Sequence, residues 1–532
     1  MWLIYLGLIG AATIPDGWHT FRANQQRTGY IDGIGCFGDS VYEKWSLLIQ
    51  NSEDNIILTS PVSADFAGDN HKDVLIGSYG TGFPTADLYN GDDGSVMWAS
   101  DYSGEGPRFT TPCLMDIVGD NKPEVFLQEI ESSYRFRALN GANGTGAWAN
   151  NSIDSSSYCA PLALDEMYGT GGRIIVGDNR GKLWCLNATT GDSIWTYTVG
   201  NPIHATSFGN VDNDSNPEIV VVAGTMLYVF GLNGGAPKWS RNMGTAATTP
   251  ALANLDGDAE LEITVYNYTA GRIRSYNCGT STPFIDVSVG VWTEDFTSGT
   301  PTTITWPPSP GLADITNDGT IDIVIHNGVN LICINGATHL VEWSTPARHL
   351  FGSPVIANLD KNDDELEIVV TGQPSNPDYR CKIQLFEHTG ASKWSWGDTV
   401  TGAGYPDPSL NEACLTDVDA DGYLEIVAVD YSCFLVCLDC EPVGVEENTP
   451  TTNNYQLSIS RDNKQIRYYL PSGSAISLCV YDIAGREVKE IYNGYLDKGM
   501  HSATVSDLRT GIYFIRLTAD GKSVSTKLTI IK

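Results

Sequence analysis

The chain has 532 residues, 42% of them hydrophobic, with 55 Gly and 25 Pro, more than one ordinary domain needs and heavily punctuated by turn formers. Its 31 basic against 64 acidic residues leave a net charge of -33, a field that disfavours nucleic acid and anionic membrane and suits cations, neutral sugars or basic surfaces. Twelve Cys in this length exclude a disulfide-dense scaffold.

Residues 1–14 (MWLIYLGLIGAATI) form one apolar run ahead of PDGW. The run is shorter than the roughly 20 residues that a bilayer takes, so no transmembrane span is expected. Its length and the small residues Gly10, Ala11 and Ala12 suit a signal peptide, although no Lys or Arg precedes it.

Between Trp45 and Cys437 one phrase recurs eight times. It consists of a Pro-led apolar stretch, an acidic turn running into a β-branched strand, and a Gly-containing hairpin that ends on Trp. The first copy opens with PVSADFAGDNHKDVLI and the eighth with LTDVDADGYLEIVAV. The hairpins end at Trp98, Trp148, Trp195, Trp239, Trp343 and Trp394, with Trp292 assigned to a divergent fifth copy. The eighth copy stops at FLVCLDC without a Trp, and an unpaired YEKW ending at Trp45 stands ahead of the first.

A period of roughly 40 to 50 residues with about four short strands predicts an all-β fold, a β-propeller, because one repeat cannot bury its own faces. The spare first Trp and the missing last one predict that the N-terminal strand completes the last blade, removing two free sheet edges. Eight blades are expected over residues 15–440, with seven the alternative if the copy around Trp292 is not a full blade.

The acidic turns carry the strongest chemical signal. In DVDADGYLE, Asp417, Asp419 and Asp421 alternate, Gly422 permits a sharp turn, and Glu425 follows at position nine. These oxygens, with the backbone carbonyl of Tyr423, can surround one hard cation such as calcium. The same frame holds for Asn210, Asp212, Asp214 and Glu218, and for Asn254, Asp256, Asp258 and Glu262; it weakens in Asp314, Asp318 and Asp322, where Thr316 replaces a ligand. It weakens further at Asp65, Asp69 and Asp73 and at Asp116, Asp120 and Glu124; the copy from Asn358 to Glu367 has one extra residue, and the third copy has lost the frame. Asp, Asn and Gly are also plain turn formers, but turn formation alone does not place an acid at position nine beside an apolar run. The expected role of calcium is to stiffen a hairpin.

Cys185, Cys333 and Cys437 occupy the same place in three copies, so a ring keeps them apart as small buried hydrophobes. Cys433, Cys437 and Cys440 lie close together, but a lone C-x2-C without a second pair is weak evidence for zinc beside a structural or disulfide role.

The acidic turns resemble the FG-GAP or VCBS repeats of integrin-type propellers, in which such loops bind calcium. The Gly-x-x-x-Trp hairpins and the segment WHTFRANQQRTGY at residues 18–30 resemble propellers related to pyrroloquinoline quinone enzymes, in which the Trp packs between blades. Both resemblances belong to architectures shared by many functions. A polar linker, EPVGVEENTPTTNN, spans residues 441–454, and residues 455–532 read as short alternating strands, a small Ig-like β-sandwich. Their phrases YDIAGREVKEIYNG, KGMHSATVSDLRTGIYFIRL and STKLTIIK resemble the type A C-terminal sorting domain of the type IX secretion system. That resemblance implies the export machinery as partner and a secreted or outer cell-surface location in a Gram-negative bacterium.

No G-x-S-x-G, H-E-x-x-H or Walker pattern occurs. No quinone or nucleotide cofactor is expected, because a cofactor-clamping set of residues is not legible. Loops leading into the innermost strands would converge at the mouth of a central channel. They carry Arg108, Tyr158, His204, Arg348, His349 and Tyr405, cations and rings that suit an acidic or neutral glycan. The preferred function is a recognition or adhesion module for a glycan or protein. The alternative is an extracellular polysaccharide-degrading enzyme of lyase type, with His204 or His349 as base. A purely structural matrix component is a third reading.

Overall fold

The computed structural model describes residues 12–38, 41–49, 59–77, 86–100, 111–128, 136–153, 160–212, 214–293, 307–347, 350, 352–372, 382–396, 412–429, 434–440, 456–459, 465–470, 473–482, 486–504, 508–509, 511–519 and 522–530. Two compact units divide the chain, Met1–Glu441 and Pro442–Lys532.

Among the described residues the first unit holds eight sheets, numbered here in chain order. The first is typical: Val62–Ala64, Asp73–Gly77, Ala86–Tyr89 and Val96–Ala99 pair antiparallel in sequence order. Second strands such as Glu218–Ala223 and Glu262–Asn267 are buried at every position, which is why they read as unbroken β-branched runs and not as alternations. Fourth strands such as Ser193–Thr198 alternate exposed with half-buried residues along most of their length, as an outer edge should.

The innermost strands are neighbours in sequence order. Val62–Ala64 lies beside Cys113–Met115, followed by Leu162–Leu164, Ile203–Gly209, Ala251–Ala253, Gly311–Ala313, Val355–Asn358 and Cys414–Thr416, which returns to Val62–Ala64. The eighth sheet takes its fourth strand from the N-terminus: Tyr42–Leu48 pairs with Phe434–Asp439, and Trp45 faces Cys437. Tyr30–Ile34 adds a parallel strand against Val355–Asn358 of the seventh sheet. A disulfide joins Cys36 to Cys440 with 5.5 Å between Cα atoms.

The Gly-x-x-x-Trp hairpin acts as a two-sided joint. Trp98 of the first sheet donates through Nε1 to Gly141 O at 2.7 Å, and a Cβ added at Gly144 of the second sheet would lie 2.4 Å from the Trp98 ring. Trp148 meets Gly191 in the same way, Trp195 meets Gly234, Trp343 meets Gly390, and Trp45 of the eighth sheet meets Gly94 of the first. Each hairpin therefore offers its glycine to the preceding Trp and its own Trp to the next sheet. Gly144 also has φ +71. Gly144→Ala is expected to cost about 2–4 kcal/mol through strain plus overpacking. Gly68→Ala, where φ is +79 but nothing lies within 4 Å, should cost about 1 kcal/mol. Thermal unfolding followed by tryptophan fluorescence checks the contrast.

Trp292 is not the fifth copy of this joint. In the fifth sheet the register runs Ala251, Thr264, Ser275, Ile285, so buried Ile285 stands where the other sheets carry Trp, and Trp292 lies beyond the strand Ile285–Ser288. The next hairpin has changed with it. His339 replaces the glycine at φ 57, and Phe284 meets its ring edge-on at 4.8 Å. A joint without an incoming Trp does not need the glycine.

Cys185, Cys333 and Cys437 are buried free thiols facing Trp195, Trp343 and Trp45 in one common register. Burial pushes the Cys185 thiol up to about 12. Cys440 is in the disulfide, and Cys433 lies outside the described residues.

Residues 12–14, placed with the leader on sequence grounds, are built into the ring. Ala12 is buried with Met115, Phe126 and Ile174, and Thr13 exchanges 2.8 Å backbone bonds with Asp116. Residues 1–11, the rest of the apolar run, and residues 441–454, expected as a linker, lie outside the described residues.

His326 ends the second strand of the sixth sheet and is fully buried; its Nε2 donates to Gly352 O at 2.9 Å, so Nδ1 is left to accept from Gly328 N at 3.3 Å. Burial lowers its pKa to about 4. The unfolded imidazole, near 6.5, takes a proton that the folded one refuses, so stability present above that pH is lost as pH falls towards 4. The stability difference between the native chain and His326→Asn should shift by about 3 kcal/mol between pH 7 and pH 4, read by urea denaturation.

The second unit has two sheets. One is formed by Gln456–Ile459, Gln465–Leu470 and Gly499–Thr504, the other by Glu487–Leu496, Ser474–Asp482, Gly511–Ala519 and Lys522–Ile530. Ile466, Tyr468 and Leu470 from the first share a core with Leu478, Val480, Ile515, Leu517 and Leu528 from the second. No helix among the described residues is long and apolar enough to cross a membrane.

Candidate metal centres and the axial segment

The acid that ends the frame opens the second strand and is buried: Asp73, Glu124, Glu218, Glu262, Asp322 and Glu425 at position nine, and Glu367 one residue later, are at most 1% exposed. One carboxylate oxygen turns back onto the loop. Glu425 accepts from Val418 N at 2.7 Å, Glu262 from Leu255 N at 2.6 Å and Glu124 from Ile117 N at 2.9 Å. This explains the fixed spacing, because only an acid at the strand start can tie the loop's second residue.

The other oxygen is the informative one. Glu262 Oε1 and Glu425 Oε1 are buried without a hydrogen-bond partner, as are Asp417 Oδ1 and Asn210 Oδ1. Burial pushes the Glu262 carboxyl up to about 7 and that of Glu425 to about 9. An ionised carboxylate so placed calls for a counter-ion.

Carboxylates gather in three turns. Asp212, Asp214 and Glu218 bring ligand atoms within 4.8 Å of one another, as do Asp256, Asp258 and Glu262, and Asp417, Asp419 and Glu425. Asp421 stays exposed and accepts from Tyr423 N. Asp314, Asp318 and Asp322 do not gather: Asp314 spends its oxygens on Asp318 N and Gly319 N, and Asp318 binds Asn335 Nδ2 at 3.0 Å. Asp65 and Asp116 wrap their own turn amides likewise, the ordinary Asx geometry. In the third sheet Asp165 caps a short 3-10 turn, Glu166–Tyr168.

Three lysines enter these turns. Lys238 Nζ donates to Asp212, Asp214 and Glu218 at 2.9, 2.7 and 2.7 Å. Lys44 reaches Asp419 at 2.5 Å and Asp439 at 3.1 Å, and Lys393 reaches Asp360 and Glu387. Each immediately precedes its sheet's Trp, a K-W signal visible in YEKW, APKW and ASKW.

The ring axis is occupied by the protein's own chain. Residues 18–34 pass the sheets in turn: Trp18 O accepts from Ser63 N, His19 O from Leu114 N, Gln25 O from Phe208 N, Gln26 O from Leu252 N, Thr28 O from Leu312 N, Gly29 O from Ile356 N and Ile34 O from Leu424 N. Gln25 Nε2 serves the third sheet through Ala163 O. Arg22 and Arg27 pin this path. Both are 0% exposed, and both sit at positive φ, 58 and 60, a strained conformation for residues with a Cβ. The Arg22 guanidinium binds Glu412, Pro310 O and Pro354 O, and that of Arg27 binds Thr206 O, Pro161 O and Thr20. Neither Arg belongs to the acidic frame; the signal that marks them is the polar run WHTFRANQQRTGY standing outside the repeat.

Arg108, Tyr158, Arg348, His349 and Tyr405 lie outside the described residues, as does the side chain of His204, whose backbone belongs to Ile203–Gly209.

Residues 44–265 match the family model described as outer membrane protein assembly factor BamB, and residues 449–532 match that of the secretion system C-terminal sorting domain. No curated protein matches the chain. Quinohemoprotein alcohol dehydrogenase from Comamonas testosteroni is 12% identical and superposes with a TM-score of 0.54 over 84% of this chain and 83% of that one. Quinohemoprotein alcohol dehydrogenase ADHIIG from Pseudomonas putida HK5 is 12% identical, with a TM-score of 0.54 over 84% of each chain. BamB from Moraxella catarrhalis is 13% identical over 76% of this chain and 100% of that one, with a TM-score of 0.43. At such identities the two dehydrogenases establish the fold alone, and with the sheets above they define a β-propeller with quinoprotein-like repeats. The chain carries a type IX C-terminal sorting domain, which indicates secretion or a cell-surface location.

Proposed function

We propose that the first unit is an eight-bladed propeller, calcium-stabilised through FG-GAP-like turns, that serves as a recognition or adhesion module for a glycan or an extracellular protein. The second unit, an Ig-like sandwich in this reading, delivers it through the type IX machinery, and a leader is removed ahead of Ala12. The observation that carries the recognition reading is the axial segment. Arg22 and Arg27 grip carbonyls of Pro310, Pro354 and Pro161 at the approach to the innermost strands, so a ligand arriving at that end meets a floor made by the chain itself. The loops leading into these strands are those that carry Arg108, Tyr158, His204, Arg348, His349 and Tyr405. Cations and rings are side-chain types that suit a glycan.

Calcium fits best in the fifth and eighth turns, where Glu262 Oε1, Glu425 Oε1 and Asp417 Oδ1 are buried without partners. When bound, it would supply charge neutralisation and link each turn to its second strand. The full chain incubated with a polysaccharide panel, in calcium and in chelator, tests the proposal. Calcium-dependent retention without new chain ends is expected. New chain ends, lost in His204→Ala or His349→Ala, would replace this reading with the lyase one.

A further inference from the structure

The fourth and fifth turns present the same ligand set, Asn210, Asp212, Asp214 and Glu218 against Asn254, Asp256, Asp258 and Glu262. Their counter-ions differ. In the fourth, the Lys238 ammonium has three donors, and three carboxylates accept them at 2.7–2.9 Å, so its hydrogen-bonding capacity is filled. In the fifth sheet the residue at the position of Lys238 is Phe284, because Ile285 holds the register of Trp239. Its ring turns to His339. Asp256 receives only Asn277 Nδ2 at 3.0 Å from a side chain of the third strand's end, and Glu262 Oε1, on a side chain that is 0% exposed, keeps no partner.

We propose that Lys238 is a tethered cation which takes the place of calcium in the fourth turn, while the fifth turn, lacking such a lysine, is a genuine divalent-cation site formed by Asp256, Asp258 and Glu262. The inference rests on the calcium reading above and refines it: a lysine that reaches the strand-opening acid, as Lys238 reaches Glu218 and Lys44, spent on Asp419 and Asp439, does not reach Glu425, separates a turn that carries its own counter-ion from turns that import one. An ammonium and a divalent ion compete for the same oxygens, and the covalently tethered one is present at every calcium concentration.

The test counts calcium bound per full-length chain by equilibrium dialysis after chelator treatment, with circular dichroism as the folding control. Glu262→Gln should lose one ion relative to the native chain. The double change Asp212→Asn with Asp214→Asn should lose none, and Lys238→Met should gain one. If Lys238→Met fails to fold, the double variant still decides: loss of an ion there would show that the fourth turn binds calcium despite its lysine and would overturn the inference, leaving the calcium reading intact. An unchanged count in Glu262→Gln would overturn the fifth site. A native chain that binds no calcium at all would overturn both readings together.

Discussion

Arg22→Met is expected to destabilise the first unit by about 3–5 kcal/mol, the range for removing one partner of a buried ion pair. Arg22 is 0% exposed and Glu412 2%, and they meet at 3.2 Å. Without the guanidinium, Glu412 remains as a buried acid, while Pro310 O, Thr28 O and Arg27 O lose a donor. Burial pulls the Arg22 pKa down and pushes that of Glu412 up, each opposed by the other group. Desolvation therefore leads on both sides, and the pair fixes the path of the axial segment more than it adds net stability. The double change Arg22→Met with Glu412→Gln should recover part of the loss, a coupling of about 1–3 kcal/mol. Guanidinium-induced unfolding of the four chains measures this cycle. A single Arg22→Met loss below about 1 kcal/mol would mean that the axial segment does not depend on its guanidinium.

Cys36→Ser, or reduction of the native chain, is expected to have a comparable effect. The disulfide spans 404 residues of sequence, and closing so long a loop restricts the unfolded chain by about 6 kcal/mol on the chain-entropy model. The loss should be local in the native state. Tyr42–Leu48 pairs only with Phe434–Asp439 inside its sheet, so its amides should exchange faster on reduction while those of Glu218–Ala223 stay protected. Equal loosening of both strands would assign the disulfide no special part in holding the ends together.

Much of this was legible because the chain repeats itself. The spare Trp45 and the missing eighth Trp pointed to the strand that completes the last sheet, since each joint needs one Trp and one receiving surface. Trp292 misled because a tryptophan at about the right spacing is not a register, and Ile285 could be placed only once strand pairing was known. The acidic frame was readable in one dimension, but whether its oxygens gather or wrap their own turn depends on local amides: Asp314 and Asp417 look alike in sequence and differ in what accepts what. The lysines were hidden in plain view, because their partners lie on the first loop of a sheet and they lie on its last strand. The roles of Arg22, Arg27 and Cys36 could not be read at all, since their partners are up to several hundred residues away and follow no period.

The axial path also sets an order of events. The contacts that complete the first unit join residues 18–48 to the sheets up to residue 440, and the last of them, Tyr42–Leu48 on Phe434–Asp439 and Cys36 on Cys440, a separation of 404 residues, are among the most distant in sequence. Contacts of that kind form late and slowly, because loop-closure entropy precedes their reward. The strand Tyr42–Leu48 is made early and must wait, without its ladder partner, until Phe434–Asp439 has been synthesised. Only a few residues later the sorting domain begins, at residue 449. A nascent chain thus holds every residue that closes its ring before its sorting domain, residues 449–532, is complete, and a truncated one that lacks the last sheet holds a beginning with nothing to close upon.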